Sequence, residues 1–433
     1  MKKIIITLIG LLAANCPMLA EVWSLDSCIS YALDNNLNIR QARLREHSGE
    51  LSVTEAQDRY LPSLSAGASQ QFSFGRGLTA ENVYANRNTK NFGWNANLSL
   101  PLFQGLSAYR NEQYARASLK ALVEETESAR DDVTLNVMAS YLQVLLQKEL
   151  ANVAEEQCRI SAVELDRRQI LLDNGKIAEV EVISAKSQLA SDEVSLVTAR
   201  NDVILAKLDL LQLLRLNEDV ETFDVELLPD DLLIPLSAED VYANALRNNH
   251  SMLAADLNVD AADKQISVAK SGYLPTLSFN AGIGSSYYNV SGVKNDSFGT
   301  QMRNNFATNL GFSLNIPIFD AFTTRNNVRR AQVSRLTAEL NREQARDNLY
   351  RTIQQAYYQA IGAEQKMKST EAAVTSTKAT FDAMQEKYNY GRANATELEQ
   401  AKSSYIVALA QHVQARYEAS LRNRILAFYN KTN

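Results

Sequence analysis

Residues 91–103 read Asn91-Phe92-Gly93-Trp94-Asn95-Ala96-Asn97-Leu98-Ser99-Leu100-Pro101-Leu102-Phe103. Every even position is apolar, and every odd position before Pro101 is Asn, Gly or Ser. A period of two predicts a β-strand with one apolar and one polar face. Three other stretches alternate in the same way: about 63–75 (Leu64, Ala66, Ala68, Phe72, Phe74), about 276–288 (Leu277, Phe279, Ala281, Ile283) and about 304–318 (Phe306, Leu310, Phe312, Leu314, Ile316). The apolar rows are long and rich in Leu and aromatics, and the polar rows carry almost no charge. Such strands suit a tilted bilayer crossing of about 9–11 residues with a wet lumen behind it. A soluble antiparallel sheet with one wet face is the alternative. Four strands cannot close a barrel, and an open edge is not tolerated in lipid. The membrane reading therefore requires several chains to pool their strands.

The strand windows belong to a larger repetition. Ser24, Ala32-Leu33 and Asn35-Asn36 recur 213 residues later as Ser237, Ala245-Leu246 and Asn248-Asn249. Tyr60-Leu61-Pro62 and Leu64 return as Tyr273-Leu274-Pro275 and Leu277 at the same offset. Beyond the loops the offset is 216: Pro101-Leu102-Phe103 matches Pro317-Ile318-Phe319, Gly175 matches Gly391, and Ala185-Lys186-Ser187 matches Ala401-Lys402-Ser403. The division that follows is a signal segment over 1–20, a first repeat over 21–216, a linker over 217–236 and a second repeat over 237–433. A period of this kind has to be settled before single elements are assigned.

Between the windows the chain is almost free of Gly and Pro. Ten of the sixteen glycines lie in the two windows or, as Gly272, at their edge, and the linker holds Pro229 and Pro235. The rest is expected to be helix. A helix over 104–173 would extend about 105 Å, turn at Asn174-Gly175 and return over about 177–214. Its equal in the second repeat runs over about 319–389 and turns at Tyr390-Gly391. The shorter helices, about 26–60 with the first return helix and 238–273 with 394–429, sum to nearly the same length, like staves of equal height. The first return helix places Val182, Leu189, Leu196, Val203 and Leu210 at steps of seven, with Ala185, Ala199 and Ala206 beside them and Asp192 as the interruption. That is a coiled-coil seam.

Composition removes several classes. Acidic residues outnumber basic ones, 50 to 44, so no nucleic-acid partner is expected. Mean hydropathy of −0.25 excludes a bundle of membrane helices but not a barrel. No phosphate loop, zinc spacing or nucleophile elbow occurs, and His47, His250 and His412 stand apart. Catalytic residues, a metal site and cofactors are therefore not expected, and the protein reads as a non-enzyme. Lys2-Lys3, the apolar run Ile4–Ala14 and Ala20 make a secretory signal. Cys16 raises lipidation, but Ala13-Ala14-Asn15 departs from the lipoprotein pattern. Cys28 and Cys158 are expected to stay unpaired.

Taken together, two copies of helix, Tyr-Leu-Pro, strand, loop, strand, Pro-Leu-Phe or Pro-Ile-Phe, long helix, Gly turn and return helix resemble the TolC-like outer-membrane efflux proteins. The resemblance covers essentially the whole mature chain. It implies a homotrimer in the outer membrane of a Gram-negative bacterium, with a twelve-strand β-barrel continuous with a periplasmic α-barrel. It also implies a passive exit duct for efflux or type I secretion, served by a periplasmic adaptor and an inner-membrane transporter. A periplasmic or surface coiled-coil scaffold or adhesin is the other reading. The family's periplasmic aperture carries acids shortly after each tip glycine. Here Glu181 and Glu397 stand six residues after Gly175 and Gly391, and the family's next acid corresponds to Gln400. Helical spacing puts Glu397, Gln400 and Ser404 on one face, and likewise Glu181, Ser184 and Gln188, with Val182 and Leu398 turned away. Some members latch the tip with an arginine two residues after the second glycine. That position is Ala393 here, although Tyr388 keeps a nearby tyrosine. Asn174, Gly175, Tyr390 and Gly391 are expected to receive the adaptor. Residues 76–90 and 289–303 are expected as surface loops, and Phe92, Trp94, Tyr287 and Tyr288 as aromatic girdle residues against outer-membrane lipid.

Overall fold

A computed structural model of the chain describes residues 22–78, 82–229 and 237–430. The signal segment with Cys16, and the end of the linker with Pro235, lie outside them. The chain divides into two compact units, one of Met1–Arg43, Glu125–Leu253 and Ala345–Asn433, the other of Leu44–Glu124 and Ala254–Gln344. Each unit therefore draws on both halves of the sequence.

The second unit holds the membrane-type strands. They are β2 (Ser63–Ser73), β5 (Thr89–Gln104), β7 (Thr276–Val290) and β8 (Ala307–Asn315), hydrogen-bonded antiparallel in the order β2-β5-β7-β8. Ser63 faces Ser99 in the first hairpin and Thr276 faces Asn315 in the second. The two partners of the first pair return as those of the second, 213 and 216 residues on. β5 and β7 join the hairpins with Trp94 opposite Ser285, and a register shift falls between Pro101 and Phe103, where proline lacks a donor. β2 and β8 are edges and are exposed along their whole length. On β8 the apolar row stands bare, with Leu310 at 70 %, Phe312 at 72 % and Leu314 at 61 % exposure. A soluble sheet would cover such a row.

Several boundaries move. β8 is shorter than the expected 304–318, because a short helix (α7, Phe298–Asn304) runs up to it and Pro317 follows. The segment 76–90 contains a hairpin of β3 (Arg76–Leu78) and β4 (Tyr84–Asn86), and 289–303 contains most of α7 rather than loop alone. Gln301 of α7 hydrogen-bonds the free backbone edge of Tyr288 from both its Oε1 and its Nε2, each at 3.0 Å. The polar α7 thus completes an edge that β8 leaves unpaired.

The first unit is helical around a two-strand core. β1 (Val22–Trp23) pairs in parallel with β6 (Asp224–Val225). α1 (Leu25–Asn35) and α2 (Leu37–Asp58) replace the single helix expected over 26–60. Asn36 breaks it: its backbone is extended, its N–H closes α1 on the Ala32 carbonyl at 2.8 Å, and its Oδ1 accepts from the Asn38 N–H at 2.8 Å. The same break at Asn249 separates α5 (Ala238–Asn248) from α6 (His250–Lys270). Asparagine competes with the helix by bonding its own backbone, and the repeated Asn-Asn pair marks both sites. The repeated serines are N-caps, Ser24 Oγ accepting from Ser27 N–H and Ser237 Oγ from Asp240 N–H. The long helices α3 (Ser107–Asp173) and α8 (Thr323–Asn389) both have 67 residues. The return helices are α4 (Glu179–Leu214) and α9 (Ala395–Tyr429).

Tyr141 on α3 is fully buried and donates its hydroxyl to the carbonyls of Trp23 (3.0 Å) and Glu226 (2.7 Å), tying α3 to the β1-β6 pair. Burial pushes the Cys28 thiol beside this core up to about 12, so it is inert, and Cys28 and Cys158 are both free thiols. Asp224 bonds Lys148 Nζ at 2.8 and 2.9 Å and lies 3.5 Å from Lys207 Nζ. Burial works against its ionisation, but the hydrogen bonds from Lys148 and Val225 and both lysine charges hold its carboxyl below the usual range. A depressed carboxyl contributes stability above its unfolded pKa and loses it as pH falls through the folded one. Because Asp224 is 39 % exposed, solvent discounts the gain, and Asp224→Asn should cost about 1 kcal/mol at neutral pH. The gap from the parent chain should close in denaturant titrations below about pH 4.

Candidate functional site

Both tips are built alike. Gly175 has φ +70° and donates to the Leu172 carbonyl at 2.7 Å, while Lys176 donates to that of Leu171 at 2.9 Å. Gly391 has φ +68°, donating to Tyr388 at 3.0 Å, and Arg392 donates to Lys387 at 2.8 Å. This is the Schellman closure, which needs a left-handed residue and so favours glycine. Asn174 adds a side-chain bond to the Ile170 carbonyl at 2.7 Å, and Tyr390 is 78 % exposed.

The return helices then start differently. α9 has a capping box: Asn394 Oδ1 accepts from Glu397 N–H at 2.9 Å and Glu397 Oε2 accepts from Asn394 N–H at 3.0 Å. α4 begins at Ala178 with no side-chain cap. The Glu397 carboxylate thus turns back to its own helix end while staying exposed. Glu397, Gln400 and Ser404 come together as expected, lining an open groove of about 610 Å³ whose other wall is Thr377, Thr380 and Met384 of α8. In the first repeat Glu181 is half-buried and Ser184 exposed. Gln188 follows one turn on along that face, half-buried, and its Nε2 donates to Asp192 Oδ1 at 2.9 Å.

Below the tip lie two charged groups of residues that patterning overlooked. Arg168, buried on α3, places its guanidinium 5.9 Å from the centre of the Tyr388 ring and donates to the Glu181 carbonyl at 3.4 Å. The arginine beside Tyr388 therefore comes from α3 and not from the tip. Burial pushes the Tyr388 phenol up, against the pull of Arg168. Next to it Gln385 Nε2 donates to Glu164 Oε1 at 3.3 Å.

One stretch further from the tip, Asp192 and Lys402 are both almost completely buried. Lys402 Nζ donates to Ser161 Oγ at 2.8 Å, lies 3.5 Å from Asp192 Oδ2 and meets Glu399 at 2.7 Å. Asp192 also accepts from Ser161 and, at 2.6 Å, from Gln157. The residue that interrupts the α4 seam is thus the centre of a polar network joining α3, α4 and α9. Burial of the seam itself follows the heptad, with Val182, Ala185, Ala206 and Leu210 enclosed.

On the sheet, Phe92 and Tyr287 are cross-strand neighbours, and both pack on Phe298 of α7, at 5.7 and 5.2 Å between rings. Trp94 lies 6.3 Å from Phe306. Tyr288 does not share their face: strand alternation sets it with Gly284 and Ser286 on the polar side, opposite Asn91. Among the described residues no cluster of metal-ligating side chains occurs and no helix is long and apolar enough to cross a membrane.

The comparisons agree with this architecture. A family model described as outer membrane efflux protein matches residues 28–214 and 241–428, the two repeats in turn. The chain is 26 % identical over 429 residues to the outer membrane protein TolC of Escherichia coli (strain K12), covering 96 % of this chain and 84 % of that one. Its fold resembles the crystal structure of CusC, with a TM-score of 0.77, 18 % identity and coverage of 94 % and 92 % of the two chains. It likewise resembles the Campylobacter jejuni CmeC outer membrane channel, with a TM-score of 0.74, 17 % identity and coverage of 94 % and 85 %.

Proposed function

The chain belongs to the outer membrane efflux protein family and is an outer-membrane channel component of an efflux or secretion system; on that premise we propose that three copies close into a passive exit duct. The observation that carries this is the four-strand sheet, open at β2 and at β8, with a bare apolar row on one face. Four strands leave unpaired backbone on two edges, which lipid does not tolerate. Three copies supply twelve strands, enough to hold a wet lumen. A second support is the exposed row Val194, Val197, Ile204 and Leu208 on α4. Its steps of three, seven and four keep it on one helix face, which awaits a partner helix.

In this reading the bare rows and the girdle residues Phe92, Trp94 and Tyr287 face lipid, while Asn95, Asn97 and Tyr288 face the lumen. The tip turns at Asn174-Gly175 and Tyr390-Gly391 receive a periplasmic adaptor, which passes cargo from an inner-membrane transporter. Energy enters there, and the chain itself performs no catalytic step. Glu181, Ser184, Glu397, Gln400 and Ser404 line the periplasmic aperture, and the carboxylates favour cations.

The test is to extract the protein in detergent, weigh the assembly and record single channels in a planar bilayer. A conducting trimer is expected; a soluble assembly without conductance would leave a periplasmic scaffold. Glu397→Gln then isolates the charge, since glutamine also serves at that capping position. The cation-over-anion permeability ratio should fall about twofold or more, and an unchanged ratio would remove Glu397 from the aperture.

A further inference from the structure

The groove beside Glu397 has a filled counterpart in the same helical unit. On α3, Ser161 receives Lys402, Glu164 receives Gln385, and Arg168 lies under Tyr388. The positions of those three α3 residues correspond, 216 on, to Thr377, Thr380 and Met384, the α8 wall of the open groove. What covers the first face also recurs, displaced by the same number: Lys402, Gln385 and Tyr388 correspond to Lys186, Gln169 and Leu172. In the free chain Lys186 and Gln169 are exposed. One chain therefore carries both a vacant seat and the residues that fit it, on different surfaces. This is the head-to-tail arrangement that closes into rings.

The two seats differ at their centre. The filled one holds Asp192 with Gln157 and Gln188, and the counterparts of these are Ala408, Ala373 and Ser404. The carboxylate that neutralises Lys402 has no equivalent for Lys186, which would meet only the hydroxyls of Thr377 and Ser404. Glu397 is the one acid lining this groove, and its carboxylate is already engaged by the cap of α9.

We propose that the groove lined by Thr377, Thr380, Met384, Gln400 and Ser404 seats the first-repeat tip of an adjacent copy, which contributes Lys186 to the aperture, and that the missing carboxylate makes this seam between copies the one that parts when the tip opens. The proposal rests on the assembly put forward above. The seam within each chain stays locked by a buried, fully hydrogen-bonded ion pair, while the seam between chains holds a cation with neutral partners. A carboxylate adds Coulomb attraction that a hydroxyl cannot supply to the same ammonium, and removing one partner of a buried ion pair is strongly destabilising, so the two seams yield in a fixed order.

Two measurements decide it, on the detergent-extracted, bilayer-active protein with Cys158→Ser as background. K186C with T377C should give covalent oligomers under mild oxidation, dispersed by reductant, and K186C with an exposed α8 position off the groove, V333C, should not. T377D places a carboxylate where Lys186 arrives. It should lower open probability about tenfold, the shift given by one charge-assisted hydrogen bond, and K186Q in the same chain should restore it. A conducting trimer that fails to cross-link through K186C and T377C overturns the proposal, as does an equal T377D effect with and without K186Q. Absence of any oligomer or conductance in the parent protein would instead sink the duct reading itself.

Discussion

Asp192→Leu should cost the helical unit about 3 kcal/mol, the lower end of the usual loss when one partner of a buried charge pair is removed. The lower end applies because Lys402 keeps Glu399 at 2.7 Å, and that carboxylate is 37 % exposed. Three donors nevertheless lose their acceptor at once: Ser161, Gln157 and Gln188 all point at Asp192, and buried donors left unsatisfied carry their full desolvation penalty. Lys402→Met should be milder, about 1–2 kcal/mol, since Asp192 retains all three of those donors. The double variant D192L with K402M should recover much of the loss, as apolar replacements of buried ion pairs do when they pack. Denaturant titrations followed by far-UV circular dichroism give the three values. A loss in the double variant equal to the sum of the two single losses would mean that the charges do not act as the pair seen here.

Asp192 also shows where patterning stops. Its place in the α4 heptad marks it as an interruption, and that much is legible from spacing alone. Its partner is 210 residues away on α9, and nothing in the periodicity of either helix says which faces meet. The same holds for Arg168 and Tyr388. Conversely, the strands, the long helices and the tip glycines were legible because each has a local cause: a period of two, the absence of breakers, a left-handed turn. The helix breaks at Asn36 and Asn249 were present as a repeated Asn-Asn pair, but a helix-neutral residue reads as helix until its side chain is seen to bond the backbone. Tyr288 was grouped with Tyr287 by composition, and neighbours on a strand necessarily face opposite ways. Glu397, Gln400 and Ser404 met as helical spacing requires. Gln188, at the equivalent spacing, keeps the face of Glu181 and Ser184, but its amide bonds the buried Asp192, a partner that spacing alone does not reveal.

The other large effect concerns the open edges. Cysteines at Leu310 and Phe72 should link neighbouring copies into covalent ladders ending at the trimer. The pairing follows from the offsets that relate the hairpins. In the chain, β5 lies beside β7 with Trp94 opposite Ser285. Moving the β5 residue forward by 216 and the β7 residue back by 213 gives Leu310 on β8 and Phe72 on β2, and those same offsets carry the Ser63–Ser99 pair onto Thr276–Asn315. A β8-β2 seam in this register puts Leu310 opposite Phe72 and Leu314 opposite Ala68, so the apolar rows of neighbouring copies fall on one face. Both leucines and Phe72 are exposed in the free chain, as a lipid-facing row requires. Directly opposed residues in antiparallel strands have Cα atoms about 4.5–5.5 Å apart, inside the span a disulfide bridges. L310C with Q71C is the control, because a slip of one residue turns the side chain to the opposite face. High yield from L310C with F72C and little from the control would fix the barrel's closing register. The reverse yields would mean that the repeats close the barrel with a different stagger, and would put the apolar rows of adjacent copies on opposite faces, which a bilayer does not allow.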